Sequence, residues 1–417
     1  MIKEIRPVGS VNARICVPGS KSITNRALIC AALAQGESTI RNASDSDDTA
    51  LLANGLNQLG VLVRKRDDAL IVHGTGGKLY APKFPIPVGN AGTTLRFLIS
   101  LSSLAQGKVV LEGAHRMSER PMEELLNALR SFGVKVNARS GIPRYEVEGG
   151  TLKGGLARAN GDKSSQFLSS LLMVASYATG ETVIEVEGAL SSSSYVDMTL
   201  DAMKRFGVAV DCTGNKRFSV RACQRYRPTE FVVEPDASGA SYFFAAAAIT
   251  GGEVVVEGLN SKSLQGEIGF TRILESMGCT VSEGSEGIRV KGNSRLSGVL
   301  VDMNSMPDAV PTLAVTALFA SGPTRIRNVA HLRYKESDRL DALAAELTKL
   351  GAHITVTDDR LEIDPSKLTG AQLDTYDDHR LAMSFSLIGL RVQGVKIENP
   401  DCVRKSFPSF WKEFEKL

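Results

Sequence analysis

The chain of 417 residues carries 49 Lys and Arg against 46 Asp and Glu, a formal net charge of +3, with an isoelectric point near 8.4. That balance lacks the global basic excess of a non-specific nucleic-acid binder, so any basic site has to be local. Hydrophobic residues at 43% and charged residues at 23% exclude the disordered and fibrous classes, and at ~150 residues per domain the length admits two domains or three.

Taken in chain order, the predicted elements recur. An apolar helix in ALICAALAQGESTI ends towards Gly36 and runs into a β-branched strand; an amphipathic helix follows and ends at Gly60 in LNQLGVLV. The same pair returns as FLISLSSLAQGKVVL with LRSFGVKV, then FLSSLLMVASYATGETVIEV with MKRFGVAV, then YFFAAAAITGGEVVV with LESMGCTV. LAVTALFASGPTRI with LTKLGAHI comes next, and LAMSFSLIGLRVQGVKI with the terminal PSFWKEFEKL closes the series. The first glycine set (Gly36, Gly107, Gly180, Gly252, Gly322, Gly394) steps by 71, 73, 72, 70 and 72 residues, and the second (Gly60, Gly133, Gly207, Gly278, Gly351) by 73, 74, 71 and 73. Each glycine is expected to end its helix in the left-handed conformation that it adopts without strain.

Six units of about 70 residues exceed both solenoid repeats, at ~20 to 50 residues, and a single core, so three plus three in two domains is the expected partition. The first helix of each unit is apolar all round and the second on one face only. The first is therefore expected to be buried and the second exposed, with sheets wrapped around central helices.

The residues at the starts of the buried helices are not core residues: PGSKSITNRA, VGNAGTTLRF, GDKSSQFL, PDASGASY, NSMPDAVP and YDDHRLAM. Their Ser, Thr, Asp and Asn, including Asp236 and Ser238, read individually as N-caps. Capping does not call for Lys21, Arg26, Arg96 and Arg380 within the first turns of apolar helices. Unpaired buried charge is costly, so these cations imply anions to pair with, and helix N-termini favour anions as well. Loops and second helices add Arg120, Ser192, Tyr195, Lys335, Glu336, Arg339 and Lys405. RYKESDR taken alone reads as a solvated charge run, with Lys335 and Arg339 four residues apart. GTGGK at residues 74–78 misses both the Walker and the GxGxxG spacing, so the expected ligand is a phosphate- and carboxylate-bearing small molecule and not a P-loop nucleotide.

The six cysteines (Cys16, Cys30, Cys212, Cys223, Cys279, Cys402) show no CxxC spacing, and the five histidines sit at no metal-ligand interval from them, which reads as reduced thiols and no metal. MIKEIRPVGS has no apolar signal core, and apolar stretches such as residues 243–249 are far shorter than the ~20 residues of a membrane span. The expected compartment is the cytoplasm, with neither membrane nor nucleic acid as partner.

PGSKSITNRAL, GNAGTTLRFL, RMSERPM, SSQF, MPDA, RYKESDRL, DDHRLAM and KSFPSF, in this order and spread over the whole chain, resemble the 5-enolpyruvylshikimate-3-phosphate synthases, the enolpyruvyl transferases of the shikimate pathway. The resemblance implies a two-domain inside-out α/β barrel of six βαβαββ-type repeats, three per domain, with buried helices and outer sheets. It further implies one domain over residues 19–233, a second over 1–18 plus 234–417, and an active site in the cleft between them. The implied reaction moves the enolpyruvyl group of phosphoenolpyruvate to the 5-hydroxyl of shikimate 3-phosphate and releases inorganic phosphate, without a cofactor and in a monomer.

Matched residue by residue, the resemblance makes Asp308 the hydroxyl-side base and Glu336 the group that exchanges protons with C3, with Lys21 and Lys405 as partners in proton transfer. Lys21, Gly92, Arg120, Gln166, Arg339, Arg380 and Lys405 are implied to hold phosphoenolpyruvate. Lys21, Ser22, Arg26, Ser164, Ser165, Gln166, Ser192, Tyr195, Asp308 and Lys335 are implied to hold shikimate 3-phosphate. His331 stands where many members carry Asn or Glu, and the run SSSSY leaves Ser192 and its neighbours as alternatives in register. The domains are expected to close on the substrates, and Gly92, lacking a side chain, to leave room for glyphosate, the family's inhibitor.

Three other readings compete. The enolpyruvyl transferase acting on UDP-N-acetylglucosamine carries a cysteine in the loop matching residues 113–121, where GAHRMSERP has none. An inactive anion-binding relative is disfavoured because Lys21, Asp308 and Glu336 are all present. A scaffold for RNA ends is disfavoured because aromatic residues make up 6% of the chain, with one tryptophan, too few for base stacking.

Overall fold

Helices that are apolar on every side have to be enclosed, and they are so in the computed structural model, which describes every residue except Ser140 and Thr151. The fold is mixed α/β, and the chain separates into two compact units, Gly19–Val233 and Met1–Pro18 with Glu234–Leu417.

In Gly19–Val233 the helices are α1 (Lys21–Leu33), α2 (Asp47–Gln58), α3 (Gly92–Ser102), α4 (Glu123–Ser131), α5 (Ser165–Ala175) and α6 (Ser193–Arg205). From Ile23 onward α1 is buried at every residue, and α3 and α5 are buried nearly throughout. In α4 only Leu125, Leu126, Ala128 and Leu129 are buried, as one apolar stripe dictates. The sheets repeat one pattern: Gln35–Arg41 lies parallel to Glu230–Val232 and antiparallel to Ala69–Thr75, which pairs antiparallel with Leu62–Arg66. Lys108–Gly113 holds the same place between Ile86–Gly89 and the hairpin Lys135–Arg139/Ile142–Glu148. Thr182–Glu187 holds it between Gly155–Asn160 and Arg217–Val220.

The other unit carries α7 (Ala237–Thr250), α8 (Phe270–Ser276), α9 (Val310–Ala317), α10 (Arg339–Lys349), α11 (His379–Ile388) and α12 (Phe410–Phe414). Residues Ala237 to Ile249 of α7 are all buried, as is every residue of α9 and α11. Two of its sheets repeat the pattern, with Glu253–Glu257 and Thr324–Arg327 as the central strands. In the third, no hairpin follows Lys396–Glu398, and the chain's own first strand, Ile2–Glu4, takes the antiparallel place.

The two glycine series behave differently. Gly60, Gly133, Gly207, Gly278 and Gly351 all have φ between +82° and +103°, as left-handed helix termini require. In the other series only Gly36, Gly107 and Gly394 have positive φ, and the helices end earlier, at Leu33, Ser102, Ala175, Thr250, Ala317 and Ile388. These glycines belong to the turn or strand after the helix. At Gly252 the reason is close approach, since a Cβ would lie 2.1 Å from the Val11 carbonyl oxygen. Among the described residues no helix is long and apolar enough to cross a membrane, and no group of His, Cys, Asp or Glu could hold a metal ion.

Candidate active site

Each unit gathers charged residues at the starts of its buried helices. In Gly19–Val233, Lys21 opens α1 and its Nζ lies 2.8 Å from Asp48 Oδ2, at the start of α2. Asp48 in turn accepts from Thr94 of α3 through its carbonyl, at 3.0 Å. Arg96, one turn into α3, donates to Gln166 Oε1 of α5 at 2.7 Å and to the Pro121 carbonyl at 3.0 Å. A Cβ on Gly92 would stand 2.6 Å from Arg120 Cζ and 2.7 Å from Arg96 NH1. Two buried guanidiniums therefore flank the first residue of α3, where the free backbone N–H groups and the dipole already favour an anion.

Arg26 is 1% exposed and is held by neighbouring helices. Its Nε donates to Thr199 Oγ1 at 2.7 Å, its NH1 to the Ser22 carbonyl at 2.8 Å, and its NH2 to the Tyr195 carbonyl at 2.9 Å and Ser169 Oγ at 3.3 Å. Burial pulls its pKa down to about 10. Four of its five donors bind α1, α5 and α6 together. Ser164 caps α5, accepting from the Gln166 N–H at 3.3 Å, beside buried Ser165. Ser192, at the N-cap of α6, holds φ +56°, a left-handed backbone that a serine adopts only under constraint.

In the other unit the centre is Arg339, the first residue of α10. Its NH1 lies 2.9 Å from Asp308 Oδ1, its NH2 3.0 Å from Glu336 Oε2, and its Nε 2.8 Å from Asp378 Oδ2. Arg380, in the first turn of α11, places NH2 2.9 Å from Asp308 Oδ2 and NH1 3.2 Å from the Tyr242 hydroxyl of α7. Asp308 stands in the short helix Pro307–Ala309 ahead of α9. Burial opposes its ionisation, yet Arg380, Arg339 and Lys335 together hold its carboxyl well below the usual carboxylate range. Burial also opposes the charge on Arg339, but Asp378, Glu336 and Asp308 raise its pKa. The nearby His331 is buried, and desolvation with Lys335 adjacent pushes it down to about 3, so it is neutral at pH 7. Lys405 ends the short helix Pro400–Lys405, which packs on α11. Asp236 caps α7 through the Gly239 N–H at 2.8 Å.

The cations of helix starts were expected to require anions from a ligand. Within the chain, Arg380 pairs with Asp308 and Lys21 with Asp48, and Arg339, at the start of a second helix, pairs with Asp308, Glu336 and Asp378. Asp48, Asp378, Tyr242 and Thr199 are the partners that motif reading passed over. Asp378 does precede a buried helix in YDDHRLAM, and it does cap that helix, accepting from the Arg380 N–H at 2.9 Å; its second role as a partner of Arg339 depends on contacts 39 residues apart. Tyr242 reads as core because it sits in an all-apolar helix.

The family model of EPSP synthase (3-phosphoshikimate 1-carboxyvinyltransferase) matches residues 5–414. The 3-phosphoshikimate 1-carboxyvinyltransferase of Nostoc sp. is 45% identical over 411 residues, covering 98% of this chain and 97% of its own. That of Hamiltonella defensa is 44% identical over 420 residues, covering 99% and 98%. Among solved structures, EPSP synthase from Acinetobacter baumannii superposes with a TM-score of 0.83 at 28% identity, covering 100% of this chain and 97% of that one. The enolpyruvyl transferase NikO from Streptomyces tendae, 19% identical with a TM-score of 0.77 over 100% of this chain and 97% of its own, shares the fold. Matched by the family model over residues 5–414 and by relatives over nearly its whole length, the chain is a transferase that belongs to the EPSP synthase family.

Proposed function

We propose that the chain transfers the enolpyruvyl group of phosphoenolpyruvate to the 5-hydroxyl of shikimate 3-phosphate, with release of inorganic phosphate. The observation that carries the mechanism is the position of Asp308, each of whose oxygens is held by the end of an arginine, Arg339 on one and Arg380 on the other. Arginine forks suit a carboxylate equally well when it belongs to a substrate. Phosphoenolpyruvate offers such a group, and as the two arginines turn to it Asp308 loses its stabilising charges. Its pKa then rises from the depressed range towards that of a working base, so proton abstraction becomes favourable only with the second substrate in place.

In the forward step Asp308 takes the 5-hydroxyl proton, the oxygen bonds to C2, and Glu336 delivers a proton to C3, giving a tetrahedral adduct. Glu336 then takes back a C3 proton, Asp308 returns its proton to the departing phosphate, and the bond from C2 to the phosphate oxygen breaks, forming the new enol ether and free phosphate. Lys21 and Lys405 assist these transfers and, with Gly92, Arg120, Gln166, Arg339 and Arg380, hold phosphoenolpyruvate. Lys21, Ser22, Arg26, Ser164, Ser165, Gln166, Ser192, Tyr195, Asp308 and Lys335 hold shikimate 3-phosphate, and Arg26 also ties together the helices that carry the serines.

We further propose that both units supply one ligand set, as expected for inside-out barrels whose buried helix starts carry the site, and that the enzyme works as a cytoplasmic monomer without a cofactor. Scattering that shows no compaction on adding shikimate 3-phosphate with a stable phosphoenolpyruvate mimic would overturn closure around that set. For the reaction, phosphate release from phosphoenolpyruvate is measured with each acceptor. Release with shikimate 3-phosphate is expected, and release only with UDP-N-acetylglucosamine would overturn the reading.

A further inference from the structure

Arg339 and Arg380 depend on Asp378, and Asp378 depends on a segment that the chemistry above does not use. Asp378 accepts from Arg339 Nε and NH2 at 2.8 and 3.2 Å, from Ser337 Oγ at 3.1 Å and from the Arg380 N–H at 2.9 Å. The two residues before it, Tyr376 and Asp377, both have left-handed backbones, with φ +52° and +53°. Side-chain-bearing residues adopt that conformation in succession only when neighbours impose it. The constraint comes from Glu346, which is fully buried. Its Oε2 accepts from the Asp374 N–H at 2.9 Å and its Oε1 from the Tyr376 hydroxyl at 2.9 Å, and Lys349 supplies its charge partner at 2.7 Å. Asn399 Nδ2 donates to Asp377 Oδ1 at 3.0 Å, holding the turn from its other side.

Glu346 lies seven residues after Arg339 on α10, two turns on and on the same face. One rigid helix therefore grips residues 374–378 at two points: Glu346 at the turn and Arg339 at Asp378. We propose that Glu346, acting through Tyr376, is a positioning residue. It sets the left-handed turn that aims Asp378, and through Asp378 the guanidinium of Arg339 and the first turn of α11 that carries Arg380. The inference rests on the reading that these arginines hold the phosphoenolpyruvate carboxylate, and it assigns no contact between Glu346 and substrate.

The test uses the full chain as Glu346→Gln, Tyr376→Phe and the double variant, with KM for each substrate, kcat and thermal unfolding measured in parallel. Gln keeps the volume of Glu but removes the charge that Lys349 pairs with and sets an amide donor against the Lys349 ammonium, which bonds both Glu346 oxygens; Phe removes a single hydroxyl from a residue that is 41% exposed, so this second variant is expected to fold even if the first does not. Expected are a rise in KM for phosphoenolpyruvate of about tenfold for Glu346→Gln and about threefold for Tyr376→Phe, with KM for shikimate 3-phosphate within twofold. The double variant is expected to match Glu346→Gln, because both changes break one linkage. A lower unfolding temperature with both KM values unchanged, or an equal rise in both, overturns the positioning role. Wild-type turnover in the same assay tests the functional reading separately: if it fails, the turn is read from crystal structures of the variants, where an Arg339–Asp378 pair left in place would still overturn the proposal.

Discussion

Replacing Gly92 by alanine tests the anion site at the start of α3 by geometry alone. The new Cβ would lie 2.6 Å from Arg120 Cζ and NH1 and 2.7 Å from Arg96 NH1, whereas ordinary van der Waals contact begins at about 3.5 Å. The guanidiniums must therefore retreat by about 0.9 Å. They can, being the far ends of flexible side chains. A charge-assisted hydrogen bond of about 2.8 Å stretched by that amount passes beyond bonding range, and such a bond is worth about 1.5–3 kcal/mol. KM for phosphoenolpyruvate should thus rise about 10- to 100-fold, at 1.4 kcal/mol per decade. KM for shikimate 3-phosphate and the unfolding temperature should hold, and glyphosate should inhibit less. Steady-state kinetics with each substrate varied in turn reads the split. A phosphoenolpyruvate KM within twofold of wild type, or an equal loss for both substrates, would refute the reasoning.

Asp308→Asn removes the base and one anion shared by Arg339 and Arg380, so kcat should fall by about 10²- to 10⁴-fold while KM for phosphoenolpyruvate does not increase; a kcat within tenfold of wild type counts against Asp308 as the base. Arg26→Met leaves Thr199, Ser169 and two carbonyls without their donor and should cost about 3 kcal/mol in urea unfolding; a loss under 1 kcal/mol would show that the clamp is not needed. His331, with its folded pKa near 3, lies below the unfolded value of about 6.5. Its contribution to stability is complete above pH 6.5 and is lost as pH falls towards 3, by about 2 kcal/mol at pH 5. His331→Asn should remove that part of the stability difference between pH 7 and pH 5, and identical profiles for the two proteins would contradict it.

The core helices were legible because their signal is local. An all-apolar run such as residues 243–249 has only one stable environment, and a glycine after an amphipathic helix has a backbone reason that needs no knowledge of the rest of the chain. Gly60, Gly133, Gly207, Gly278 and Gly351 accordingly take the expected conformation. The other series misled, because helix-ending glycines and glycines required by close approach look alike in sequence. Gly252 is needed for the passage of Val11, which comes from 241 residues earlier.

The amino-acid sequence alone determined the repeat, the α/β class, the burial of one helix in each pair and the family, all of which rest on short-range periodicity and ordered motifs. What the cations face was decided only by tertiary structure. Arg339 pairs with Asp308 and Asp378, 31 and 39 residues away, and Arg26 binds Thr199, 173 residues away. Charge in a sequence announces that a partner is needed; whether that partner is a ligand, a carboxylate of the chain or a helix dipole depends on which backbone segments meet, and that is a property of the packed chain.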